Sequence, residues 1–162
     1  MELIRVGISA CLLGQEVRYD GGHKRDPVLT EVLGPFVEWV PVCPEVEMGL
    51  GTPREPMRLV RDGSSTRMVT IHTGIDHTDA MNAWSKKRLD ELARADLDGY
   101  VLKSKSPSCG MEVESGPGLF AAALMSQMPG LPVEEEIRLS DARLRKHFIE
   151  RLFAYHRLKK SA

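Results

Sequence analysis

Neither sign of charge dominates this chain: 22 Lys and Arg stand against 23 Asp and Glu in 162 residues, a net charge of −1. Such a balance leaves no general basic coat for nucleic acid, so any polyanion has to meet a local patch. Long apolar runs are missing as well. Nothing approaches the ~20 apolar residues of a membrane span. The N-terminal MELIRVGISACLLG has no basic stretch followed by an uninterrupted apolar run, so it reads as a first strand and not as a signal peptide. These absences point to the cytoplasm, where thiols stay reduced. Cysteine is scarce and odd in number, three in all, which fits poorly with a disulfide framework. No CxxC pair occurs, so spacing names no metal. What is left is an ordinary globular composition, 42% hydrophobic and 28% charged. A chain of this length buries roughly two-thirds of its unfolded surface and needs no structural metal to fold.

Local patterns divide the chain into alternating strands and helices. Residues 3–8 (LIRVGI) form a short β-branched run ending at Ser9-Ala10-Cys11. Asp26-Pro27 through Leu33-Gly34 carries a cap residue, proline at the first helical position and glycine past the end, which predicts a short helix. Residues 36–42 are extended and end at Cys43-Pro44; residues 57–71 alternate around Asp62-Gly63-Ser64-Ser65 as a hairpin. From Thr78 the period becomes helical, with Met81, Trp84, Leu89 and Leu92 on one face, ending near Asp96. A buried strand, residues 99–102, precedes a loop, residues 103–110. A helix at 119–128 and a brief strand at 131–133 follow. This order predicts an α/β fold with a mainly parallel sheet in a Rossmann-like three-layer sandwich. The tail differs: from Ile137 to Ala162 there are eight Lys and Arg against two Asp and Glu, on an amphipathic helix capped by Asp141.

All three cysteines follow the carboxyl end of a predicted strand: Cys11, Cys43 and, after the 103–108 segment, Cys109. Open α/β sheets bind ligands outside those strand ends, at the switch in strand order, so cysteines far apart in sequence can share one centre. Pro44, Pro107 and Gly110 fix the loops around them. Three thiolates suit zinc or an iron–sulfur cluster, and on chemistry alone the two stand level.

Four segments, SACLLG (9–14), VRYDG (17–21), CPEVEMGLGTPR (43–54) and LKSKSPSCG (102–110), resemble in order those of the bacterial thiouracil desulfidase (TudS-like) family. The likeness in layout reaches residue 135, making 1–135 the expected desulfidase domain and 136–162 a basic amphipathic helix. That resemblance implies a [4Fe-4S] cluster held by Cys11, Cys43 and Cys109 with the fourth iron open. It also implies a non-redox reaction in which thiouracil or thiouridine and water give uracil or uridine and hydrogen sulfide. The positions matching the family's catalytic pair are Glu45 and Ser106. The tail, residues 144–155, resembles the junction at which two-domain tRNA 4-thiouridine desulfidases enter a further domain. By default such a helix packs on its own domain; that resemblance implies the alternative, that the tail begins a second domain and that tRNA is a partner.

Other residues are candidates by type and place. Lys103, Lys105 and Arg54 are candidates for phosphate or sulfide-derived charge, while Arg18 and Tyr19, with Asp20, shape the pocket or support its loop. A glutamate after Cys-Pro is by default a solvated carboxylate, and a serine before proline caps a turn. His23, His72 and His77 are candidate zinc ligands. They belong to the competing reading, a zinc-binding interaction module without catalysis.

Overall fold

Ile4–Ser9, alternating and β-branched, forms β1 and runs straight into a single tight helical turn, Ala10–Leu13, which carries Cys11. The computed structural model describes residues 3–113 and 116–161; Met1 and Glu2 of the N-terminal segment and Ala162 of the tail lie outside them. Val37–Val42 is β2, Gly99–Leu102 is β5 and Val133–Glu135 is β6; with β1 they form one parallel sheet in the order β2-β1-β5-β6. Met57–Asp62 (β3) and Ser65–Thr70 (β4) form the expected hairpin, as a separate antiparallel pair. The chain leaves β1 toward β2, then returns to the other side of β1 to place β5. The switch in strand order therefore falls between β1 and β5.

Helices cover both faces of the sheet. On one, Leu89 and Leu92 of α2 (Thr78–Ala93) and Phe120, Ala121 and Leu124 of α3 (Leu119–Gln127) pack on Val42, Tyr100, Leu102 and Val133. On the other, Phe148 and Leu152 of α5 (Ala142–Lys160) join Ile4, Val6, Ile8 and Val101, with Leu139 from the short α4 (Glu136–Leu139). This is the three-layer sandwich that the order of elements predicts. The tail lies close to the sheet: a Cβ on Gly99 would run into the Leu152 side chain, so only glycine lets the helix come so near. Asp141 caps α5 as expected, its side chain accepting the Arg143 and Leu144 N–H groups.

Several element ends shift by one residue from the sequence reading, and three differences are larger or have a local cause. Gly34 does not stop the helix that follows Asp26. It is right-handed at φ −49, and a tight turn, Gly34–Phe36, continues from the wide helical turn Val28–Leu33. Glycine has no Cβ to clash with Pro35, so the usual bar on helical conformation before proline is relaxed. The last strand begins at Val133, because Pro132 can accept from the Tyr100 N–H but has no N–H to donate. Finally, α2 ends at Ala93, before Asp96.

Candidate active site

The carboxyl ends of β1, β2 and β5 open into one cavity of about 690 Å³, and Cys11, Cys43 and Cys109 all line it. Cys11 sits in the turn after β1, with its carbonyl held by the Lys24 N–H at 2.9 Å. Cys43 caps α1 (Pro44–Glu47), a single turn begun by Pro44, and its N–H donates to Glu47 Oε2 at 3.1 Å. Cys109 lies in the loop after β5. Its N–H donates to Ser106 Oγ at 3.0 Å, and the Gly110 N–H closes the same turn on the Ser106 carbonyl at 2.8 Å. The loop rests on the start of α3, where a Cβ at Gly118 would stand 2.7 Å from the Ser108 backbone. Lys105 takes φ 66, a left-handed conformation uncommon outside glycine.

Burial governs the thiols. Cys11 is pushed up to about 11 and Cys109 to about 12, and Cys43 is raised for the same reason. The thiols add to one another: Cys43 acts on Cys11, and both act on Cys109. Lys103 is the strongest charge opposing the rise at Cys11, and a hydrogen bond from Ser9 opposes it at Cys109. A bound cationic metal centre would displace these protons. Among the described residues no three His, Cys, Asp or Glu side chains converge on a single ion. Zinc needs its donors around one point, whereas a cubane takes one thiolate on each iron, so its sulfurs surround a cavity. Three free thiols around this cavity, Cys11 and Cys109 buried and Cys43 partly so, fit the cubane donor set. His23, His72 and His77 are not among the residues that line it.

Glu45, Ser106, Arg54, Arg18, Tyr19, Lys103 and Lys105 also line the cavity, whereas Asp20 does not. Glu45 Oε2 accepts from Arg54 Nη2 at 2.8 Å, and Oε1 has no hydrogen-bond partner among the described residues. Arg54 is 9% exposed at its side chain and also donates to the carbonyls of Val17 and Gly51. Its guanidinium is thus engaged by the protein on both arms. Ser106 Oγ accepts the Ser108 and Cys109 N–H groups, as the turn-capping reading expects, and stands 3.1 Å from Ser108 Oγ. Arg18 pairs with Asp20 at 3.6 Å and lies over the Tyr19 ring, 5.5 Å from its centre; Tyr19 is 40% exposed at the rim.

Sequence reasoning missed Glu136 and Ser9. Ser9 Oγ accepts the Lys103 N–H at 2.9 Å, tying the end of β1 to the end of β5. Glu136 follows β6, the fourth parallel strand. The strand-end rule that singled out the cysteines would have found it had the last strand been carried to Glu135.

A family model described as 2-thiouracil desulfurase matches residues 6–136. The chain belongs to the 2-thiouracil desulfurase family. Among curated proteins it is 30% identical over 108 residues to the uncharacterized protein YbbK of Bacillus subtilis (strain 168), a match covering 64% of this chain and 71% of that one. Among solved structures it is similar to TudS, a [4Fe-4S]-dependent thiouracil desulfidase. That match has a TM-score of 0.72 and 32% identity, and it covers 89% of this chain and 98% of that chain. The desulfurase match begins inside β1 and ends on Glu136, so it takes in the three cysteines, Glu45, Ser106 and the Lys103–Glu136 pair.

Proposed function

We propose that this cavity desulfurates a thiolated pyrimidine, replacing the ring's sulfur with oxygen from water and releasing sulfide without change of oxidation state. The observation that carries the reading is the meeting of three free thiols and the Glu45 carboxylate at one cavity in a chain of the desulfurase family. Cys11, Cys43 and Cys109 would hold a [4Fe-4S] cluster whose open iron, when bound, supplies a Lewis acid for the soft thiocarbonyl sulfur. The chain's own residues provide the rest. Arg54 holds Glu45 through Oε2, which leaves Oε1 to take a proton from water. Ser106 has its oxygen committed to two backbone donors, so its O–H is the part left to donate, and it turns from Ser108 Oγ, 3.1 Å away, toward the ring when substrate enters. Lys103, Lys105 and Arg18 supply positive charge along the wall, and Tyr19 supplies an aromatic face at the rim.

No helix of the described residues is long and apolar enough to cross a membrane. A cytoplasmic setting, where thiols stay reduced, suits three free cysteines. The basic tail, residues 136–162, supports tRNA as the carrier of the thiolated base, through contacts to phosphate whose strength falls with salt. That role is separate from the chemistry of the desulfidase unit at 1–135, except that Glu136 lines the cavity and Phe148 and Leu152 seal the tail to the sheet.

The test is anaerobic purification and cluster reconstitution, followed by sulfide measurement with 2-thiouracil, 4-thiouracil, 4-thiouridine and thiolated tRNA. A brown protein that releases sulfide stoichiometric with uracil or uridine is expected. A colourless protein carrying zinc and releasing none would establish the interaction module instead. The substrate panel also decides between ring position 2, which the family's name carries, and position 4, which the sequence-based expectation carries.

A further inference from the structure

Two carboxylates are buried among the described residues, Asp98 and Glu136. Glu136 opens α4 and lines the cavity of the cysteines. Its Oε1 accepts the Ser104 N–H at 2.6 Å and its Oε2 accepts the Ser104 hydroxyl at 3.1 Å. Lys103 Nζ stands 3.5 Å from Oε2 and donates to the Ser104 carbonyl at 2.8 Å. All these partners belong to two adjacent residues at the start of the loop that carries Ser106 and Cys109. An exposed lysine would extend its ammonium into water. Here the Lys103 side chain is 19% exposed and its ammonium is drawn back to a buried carboxylate. Removing water strengthens the pull of that cation on any anion formed in the cavity.

We propose that Glu136 is a positioning residue of the desulfidase site, holding the Lys103 ammonium on the cavity wall to pair with the hydrosulfide that leaves the substrate. The inference rests on the desulfidase reading. In that reaction the thiocarbonyl and water give the carbonyl, hydrosulfide and one proton. The carbon–sulfur bond breaks with its electrons on sulfur, and the proton rests on Glu45. The negative charge thus passes from Glu45 to sulfur inside the cavity, where a cation held in advance stabilises it without reorganising. Glu136 touches none of the reacting atoms and acts through Lys103. Lys103 lines the same cavity as the three cysteines.

Glu136→Gln keeps the shape and one acceptor for Ser104, but removes the charge that holds Lys103. Iron content and the visible spectrum should match the parent. The variant should lower kcat by roughly 10–100-fold with little change in KM. It should weaken sulfide binding, titrated without substrate and followed by visible absorption, to a similar degree. Lys103→Met should give the same two losses, the double variant should add little to either, and Glu136→Asp should recover part. Parental kcat and sulfide affinity in Glu136→Gln would overturn the proposal. Loss of activity only in step with loss of iron would also overturn it, because Glu136 would then merely hold the loop. A parent that releases no sulfide from any thiolated pyrimidine defeats the desulfidase reading itself. An active parent with unchanged sulfide affinity in Glu136→Gln defeats this inference alone.

Discussion

The two ends of the parallel sheet both bury charge, and they dispose of it differently. At the amino end Asp98, 1% exposed, accepts the Arg5 N–H at 2.9 Å and meets His156 Nδ1 at 3.0 Å and Lys159 Nζ at 2.8 Å. Lys159 also binds Asp96 and the Leu97 carbonyl. That network faces inward on itself and clamps the end of α5 to the entry of β5. At the carboxyl end buried and half-buried groups face a cavity: three thiols, the free oxygen of Glu45 and the Lys103–Glu136 pair. A closed network stabilises a fold, whereas one opening on a cavity is poised for a ligand. Changes at the first should cost stability and spare chemistry, and changes at the second should do the reverse.

Cys11→Ala offers the largest break in that contrast. It should abolish both cluster binding and turnover, read from iron and acid-labile sulfide content and from sulfide release. Next comes Glu45→Gln, in which the visible spectrum should persist while kcat falls by roughly 10²–10⁴-fold; turnover at the parental rate would remove Glu45 as the base. Asp98→Ala should act the other way. It leaves Lys159 and His156 without their buried carboxylate and should cost about 3–5 kcal/mol in denaturant unfolding, with kcat per folded molecule unchanged.

The smallest effect concerns pH at the amino end. Burial pulls Lys159 down, but hydrogen bonds to Asp96 and Asp98 outweigh it, and its ammonium titrates above the ordinary 10.5. Its stabilisation is therefore complete below pH 10.5 and lost as pH rises through the folded value. Asp96, held below its ordinary 3.8 by the Lys159 ammonium, contributes above that value and loses its contribution as pH falls through the folded one. Unfolding midpoints measured across pH should show both limbs, and Lys159→Met should remove the alkaline limb and weaken the acid one. An unchanged alkaline limb in that variant would mean the network does not clamp α5.

Local signals were legible wherever neighbours in sequence decide the outcome. Asp141 caps α5 because its carboxylate reaches the N–H groups of Arg143 and Leu144 within one turn. The hairpin turns at Gly63, whose φ of 59 suits a residue without a side chain. The three strand-end cysteines were legible by the same logic: local patterning marks where a strand stops, and the sheet rule says which stops share an edge. Gly34 misled, because its bare Cβ position permits more conformations than the helix-ending one.

What the sequence by itself determined is the set of elements and the donor types at their ends: three thiols, a glutamate after Cys-Pro and a serine before Pro107. What only the tertiary structure decided is which charges meet. Arg54 reaches Glu45 across a loop, and Glu136 reaches Lys103 only because β6 lies beside β5. Such pairings depend on strand order and on the path of loops, which no local pattern encodes, and they leave one oxygen of Glu45 open while drawing the Lys103 ammonium back toward a buried carboxylate.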